Sequence, residues 1–325
     1  MDLVRAGSSG DQDLFRRALE ALITEERSKQ HHVLADRLAE HLEFGAKHWR
    51  TTQERRPTLN GELSLVSDVR PQRRFDDLIL PEGVRRTCEE LVEEHLRADL
   101  LRAHNLEPRH RMMLVGPPGN GKTSLAEALS YELTYPMLVA RYESLIGSYL
   151  GETAVRLAKL FAQVRTQRCV LFFDEFDVLG KERGDAHETG EIKRVVSSLL
   201  LQIDQLPPHV VVVSATNHGE LLDRAAWRRF EVRLTLPAPG KAERLTWLRS
   251  FESRTSLRFG RSHEQLAKQL AGLSFAELEQ FGEDIQRKFV LAGPEANARK
   301  IVSDRLHELA TRAEPMSEGE RSHDA

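Results

Sequence analysis

The chain is 325 residues long, 40% hydrophobic and 30% charged, with a formal net charge of -3 at pH 7, which suits one large domain plus smaller ones and excludes a chain-wide basic footprint for nucleic acid. No run approaches the roughly 18 apolar residues of a membrane span, and Met1 to Gly10 hold no apolar signal core. Two cysteines, Cys88 and Cys169, make no disulfide framework, so a cytoplasmic protein without a membrane partner is expected.

Residues 1–50 read as a helical region. Leu14, Ala18, Ala21 and Leu22 share one helical face, as do Leu34, Leu38 and Leu42. The polar stretch Thr24 to Gln30 between them is read as the turn of a hairpin, with one long helix as the alternative. The region is too small to carry much core of its own, which points to binding a protein substrate or adaptor. His31, His32, His41 and His48 lack a metal-ligand spacing and are read as exposed. Residues 51–72 lose periodicity, and Arg55-Arg56-Pro57 and Asn60-Gly61 mark a linker with a turn.

From residue 73 to 238 the pattern is that of an α/β domain. Helical periodicity spans Val84 to Leu101. Five short apolar runs read as strands: Arg111–Val115, Pro136–Ala140, Cys169–Phe173, Val210–Val213 and Val232–Leu236. Near-continuous apolar strands alternating with helices predict a five-stranded parallel sheet with helices on both faces. Residues 239–312 return to helical spacing, with Leu266, Leu270, Leu273 and Leu278 as core positions, and read as a small helical domain. The polar tail 313–325 has the composition of a disordered segment.

The polar motifs sit at strand ends, where ligands of parallel sheets gather. Gly116-Pro117-Pro118-Gly119-Asn120-Gly121-Lys122-Thr123 fits G-x-x-x-x-G-K-[ST], a phosphate-binding P-loop, between an apolar run and a helix that continues from Ser124. Glycines let backbone N–H groups surround a phosphate, and the helix adds a positive dipole end. Lys122 suits the β- and γ-phosphates, and the Thr123 hydroxyl suits Mg²⁺. Asp174-Glu175 follows Val170-Leu171-Phe172-Phe173, a Walker B pattern in which Asp174 holds the metal and Glu175 polarises water. Asn217 ends the next strand, where a neutral amide can orient the same water. Arg228 and Arg229 close the segment Leu222 to Phe230, and guanidinium groups suit phosphate charge.

Together these motifs resemble the AAA+ ATPases, within the clade of katanin, spastin and the ATPase that disassembles ESCRT filaments, and small bacterial stand-alone AAA ATPases. The resemblance covers about residues 73 to 312 and implies a P-loop NTPase domain followed by a helical lid. It implies that Phe75-Asp76-Asp77-Leu78-Ile79 lies against adenine, with Asp77 and Ile79 in the nucleotide site. Asn120 stands where threonine is common. Ser214-Ala215-Thr216-Asn217 matches the family's sensor 1, and Arg228-Arg229 are similar to its paired arginine fingers, without the Pro-Gly-Arg spacing of proteasomal relatives. Gly272 to Leu278 resembles the sensor 2 region, in a form with no arginine. Tyr149-Leu150-Gly151-Glu152 is similar to the first pore loop, in which an aromatic and an aliphatic side chain grip extended polypeptide, and Lys181 to Gly190 falls at the second.

The resemblance therefore implies ATP and Mg²⁺ as cofactors and a homo-hexameric ring, promoted by ATP, that unfolds, threads or disassembles protein. One alternative that the resemblance to small bacterial ATPases implies is a motor serving a separate, subtilisin-like protease; no Ser-His-Asp arrangement is evident in this sequence, so proteolysis would come from another chain. Another is a nucleic-acid-directed helicase loader, which Tyr149-Leu150 in the pore loop argues against.

Overall fold

A computed structural model of the protein describes residues 65–140, 150–176, 188–222, 224–255, 257–293 and 296–313, all within one compact unit that begins at Ser64. The expected N-terminal hairpin with its histidines, most of the linker, Tyr149, residues 181–187 and the tail beyond Ala313 lie outside the described residues.

The strands are β1 (Val66–Val69), β2 (Arg111–Val115), β3 (Met137–Ala140), β4 (Cys169–Phe173), β5 (Val210–Thr216) and β6 (Val232–Thr235). They form one sheet in the order β1-β3-β4-β5-β2-β6. All neighbours are parallel except β1, which runs antiparallel to β3 with Val66 opposite Ala140 and Val69 opposite Met137. Around the sheet lie α1 (Glu82–Leu96), α2 (Ala98–Ala103), α3 (Lys122–Leu133), α4 (Leu150–Val164), α5 (Glu188–Asp204) and α6 (Arg224–Arg229). Four helices follow: α7 (Lys241–Thr255), α8 (His263–Gln269), α9 (Phe275–Ala292) and α10 (Ala298–Ala313).

The strand period of two divides the core between the two faces of the sheet. Cys169, Leu171 and Phe173 of β4 and Val210 and Val212 of β5 join Leu160 and Phe161 of α4 and Ile203 of α5. The intervening Val170, Phe172, Val211 and Val213 face the other way, onto Cys88 and Leu91 of α1 and Leu125 and Leu129 of α3. Every residue of β4 and β5 is buried, which is why these runs show no polar alternation. The C-terminal helices have a core of their own, where the rings of Trp247, Phe251, Phe259 and Phe281 pack in succession at centroid distances of 5.2 to 6.4 Å.

Two expectations change. The segment read as a linker carries β1, so the five parallel strands belong to a six-stranded mixed sheet. Only Val66 of β1 is buried, and a four-residue edge strand that polar leaves no period to read. The helix expected from Val84 to Leu101 breaks at Arg97, whose φ of -112° and ψ of 28° separate α1 from α2. Among the described residues no helix is long and apolar enough to cross a membrane.

Gly282 of α9 lets the Phe251 ring approach, since a Cβ there would lie 2.4 Å from it. Helix propensity alone favours alanine by about 1 kcal/mol, yet Gly282→Ala is expected to destabilise the protein by about 1–3 kcal/mol through overpacking, seen as a lower urea midpoint. A second expectation concerns pH. Burial lowers the pKa of His95 and of His110 below the ordinary 6.5; at His110 the nearby Glu231 carboxylate opposes the shift without cancelling it. The unfolded chain then binds more protons than the fold at acid pH, so stability is retained above about pH 6.5 and falls as pH drops through that value. The thermal midpoint should be lower at about pH 5.5 than at about pH 7.5, with a shallower slope for His110→Gln.

Candidate functional site

The site lies at the C-terminal ends of β2, β4 and β5. Residues 116–121 connect β2 to α3, and hydrogen bonds to both neighbouring strands fix where the loop starts: Gly116 N–H donates to the Thr216 carbonyl at 3.2 Å and Leu236 N–H to that of Val115 at 2.7 Å. Gly116 is required by space, because a Cβ there would sit 2.1 Å from the Leu236 carbonyl oxygen. Gly121 caps α3 in the left-handed region. The loop is thus a turn of glycines leading into a helix N-terminus, the backbone form of an anion cradle.

Lys122 is only 7% exposed. Its Nζ donates to the carbonyls of Gly116 at 2.7 Å and Pro117 at 3.0 Å, and to Asn217 Oδ1 at 2.7 Å. Two of these acceptors belong to the loop itself and the third follows β5, so the ammonium is held inside the loop that would surround a phosphate. Because Asn217 Oδ1 faces the lysine, its Nδ2 is the donor left for an anionic ligand.

Thr123 Oγ1 donates to Asp174 Oδ2 at 3.1 Å, across 51 residues of sequence. Two hard oxygen donors converge there, as a small divalent cation binding site with phosphate and water needs. No group of three or more His, Cys, Asp or Glu gathers among the described residues. Glu175 follows with a positive φ of 46° and an exposed side chain, while its N–H donates to Asp174 Oδ1 at 2.9 Å. The next residue holds the turn in place: Phe176 N–H donates to the Ala215 carbonyl at 2.8 Å, and its ring meets those of Phe173 and Phe230 edge-on. Sequence reading left Phe176 without a role; an aromatic directly after an acidic pair was the available signal.

The remaining candidates lie elsewhere. Asp77 is exposed, and its Oδ2 accepts from Arg74 N–H at 2.8 Å. Ile79 packs against the core of the C-terminal helices while Leu78 and Leu80 pack on the sheet domain, so this segment passes from one core to the other. Arg228 is exposed on α6. Arg229 Nε donates to Asp204 Oδ2 at 2.8 Å, and Asp204 also pairs with Arg111 at 3.3 Å. Arg111 opens β2, whereas the P-loop follows its last residue, so Arg229 is anchored at the far end of that strand, roughly 13 Å away along it. The structure brings Lys122, Thr123, Asp174 and Asn217 together and leaves the arginines apart. Leu150 opens α4, but its side chain and Tyr149 are outside the described residues.

The α9 N-terminus, within the Gly272 to Leu278 segment that resembles sensor 2, also meets the P-loop: Ala276 N–H donates to the Gly119 carbonyl at 2.9 Å. The signal available was Ser274-Phe275-Ala276-Glu277, a capping box ahead of an apolar periodic run.

Residues 112–238 match the family model described as "ATPase family associated with various cellular activities (AAA)". The chain is 38% identical over 276 residues to an "Uncharacterized AAA family ATPase y4kL" of Sinorhizobium fredii, covering 84% of this chain and 83% of that one. It is 34% identical over 224 residues to "ATP-dependent zinc metalloprotease FtsH 3" of Sphaerobacter thermophilus, covering 66% of this chain and 45% of the relative. To the "Cell division cycle protein 48 homolog" of Archaeoglobus fulgidus it is 32% identical over 215 residues, 64% of this chain but 29% of the relative. The chain thus spans less than half the length of these last two. A P-loop, an acidic strand end and a polar amide meeting at one point, with a relative matched over four-fifths of both chains, carry one conclusion: this protein belongs to the AAA family of ATPases.

Proposed function

We propose that the protein hydrolyses ATP with Mg²⁺ as a ring of six copies and uses that cycle to unfold or disassemble protein. One observation supports the ring: Arg229 is anchored on Asp204 at the opposite end of β2 from its own P-loop, away from the nucleotide of its own copy, which leaves the site of another copy as the place where it would act. Within one copy, Lys122 and the loop N–H groups bind the phosphates. Thr123 and Asp174 would hold Mg²⁺, which when bound neutralises phosphate charge. Asn217 Nδ2 and Glu175 orient the attacking water, and Glu175 accepts its proton. Arginine charge lent in trans makes assembly a condition of turnover, a contribution of about 10³ to 10⁵ in rate. The similarity to FtsH 3, whose name describes an ATP-dependent zinc metalloprotease, supports protein as the substrate class. Tyr149 and Leu150 are the residues proposed to grip it, and residues 1–50 the part proposed to select substrate or adaptor.

The test measures ATPase activity and mass in solution. Glu175→Gln should assemble with ATP and lose at least about 10² in turnover. Arg229→Ala should bind nucleotide without turning over, and adding it to wild type should depress activity more than dilution predicts. Tyr149→Ala should lose unfolding of a tagged test protein more completely than ATP turnover. A wild-type monomer that hydrolyses ATP, with Arg229→Ala active, would sink the ring.

A separate expectation follows from the Glu175 backbone. The left-handed region costs a non-glycine residue roughly 1–2 kcal/mol, while glycine loses roughly 0.5–1 kcal/mol through its freedom in the unfolded chain. Glu175→Gly should therefore unfold at the same or a higher temperature than wild type while turnover is lost, a comparison that one calorimetric scan and one rate assay decide.

A further inference from the structure

The first N–H groups of a helix have no partner within it. In α9, 18 residues long, two sources supply them. Ser274 Oγ accepts from Glu277 N–H at 3.3 Å, and Glu277 Oε2 accepts from Ser274 N–H at 2.7 Å. The N–H groups of Phe275 and Ala276 are left, and both go to the P-loop: Phe275 N–H donates to Asn120 Oδ1 at 3.3 Å and Ala276 N–H to the Gly119 carbonyl at 2.9 Å. The approach is close enough that a Cβ at Gly119, whose φ is +74°, would lie 2.9 Å from Ser274 Oγ.

Asn120 is 3% exposed, and the other half of its amide works inside the loop, Nδ2 donating to the Pro117 carbonyl at 3.3 Å. One side chain therefore spans two parts of the protein that have separate hydrophobic cores. Its acceptor end caps a long helix of the C-terminal helical unit, and its donor end braces the turn that holds phosphate. The carbonyl of Pro117 that it braces is also an acceptor for Lys122. The phosphate loop and the first turn of α9 are thus joined through one amide side chain.

We propose that Asn120 is a positioning residue that ties the helical unit of α7 to α10 to the state of the phosphate loop. It acts through α9 and touches no reacting atom. The inference rests on nucleotide binding at the P-loop and needs neither the ring nor a protein substrate.

The experiment uses the full chain with spin labels on two introduced thiols, Leu106→Cys and Leu291→Cys, at positions 56% and 87% exposed. The native Cys88 and Cys169 are fully buried, with thiols pushed up to about 12, and do not compete for label. Inter-label distance distributions are recorded with and without ADP, beside kcat and KM for ATP. Asn120→Ala should broaden the distribution with ADP bound and lower kcat about fivefold, the weight of one net hydrogen bond, with KM moving less than about twofold. Phe275→Pro removes the same bond from the other side. Proline is accepted at the first helical position, and Ser274 is already extended at φ -71° and ψ 166°, as the residue before proline must be. Both changes delete the bond between the two units, and Asn120→Ala also deletes the Nδ2–Pro117 bond, so the loss in the double variant should fall short of the sum of the single losses by the weight of the shared bond. Full additivity overturns the proposal. So does a loss of kcat in Asn120→Ala with an unchanged distance distribution, which would make Asn120 a direct phosphate ligand, and so does no effect on either. Failure of ADP to bind wild type would instead remove the nucleotide reading beneath it.

Discussion

The parallel register of β2 with β5 is the constraint on which the site depends. With Val115 opposite Thr216, the residues that leave the two strands, Gly116 and Asn217, emerge side by side. Lys122 can then reach Asn217 across 95 residues of sequence, and β4, paired on the far side of β5, delivers Asp174 to Thr123. A slip of one residue would turn each strand's core positions to the wrong face. The two hydrophobic layers therefore enforce the same register that the chemistry uses. Core packing and phosphate binding are one specification in this domain.

The same region concentrates backbone cost. Gly116 is hemmed in by the Leu236 carbonyl, Gly119 and Gly121 have positive φ, and Glu175 occupies the left-handed region with a full side chain. Such conformations persist only where the surroundings over-determine them. Around Glu175 the surroundings are explicit: the preceding carboxylate accepts its N–H, and the following phenylalanine is tied to β5 and packed among rings. Strain is held where a carboxylate must stand exposed at the end of a fully buried strand.

Much of this was legible in the sequence, and for a physical reason. Val210 to Val213 and Cys169 to Phe173 are buried on both faces, so composition alone marks them as central parallel strands, and a P-loop between strand and helix has few other readings. Lys122, Thr123, Asp174 and Asn217 are found together because each leaves such a strand. What escaped reading lacked that kind of signal. β1 is four residues long and mostly polar, and its place depends on pairing with β3, seventy-odd residues on. Asn120 read as a mild substitution within a motif because its partner, Phe275 N–H, is a backbone group 155 residues away. Sequence shows a side chain's type well and a backbone donor's address poorly.

The Arg229–Asp204 pair has a thermodynamic consequence for association. Both side chains are 31% exposed, and half-exposed ion pairs contribute only about 0.2–1 kcal/mol. If Arg229 serves a neighbouring copy, as proposed, it must first leave Asp204, so contact between copies would be made at the expense of this ion pair. The exchange is close to isoenergetic when the new partner carries a single negative charge. It would become favourable as the phosphate charge presented by the neighbour grows, so that in the proposed ring the cohesion between copies would follow nucleotide state.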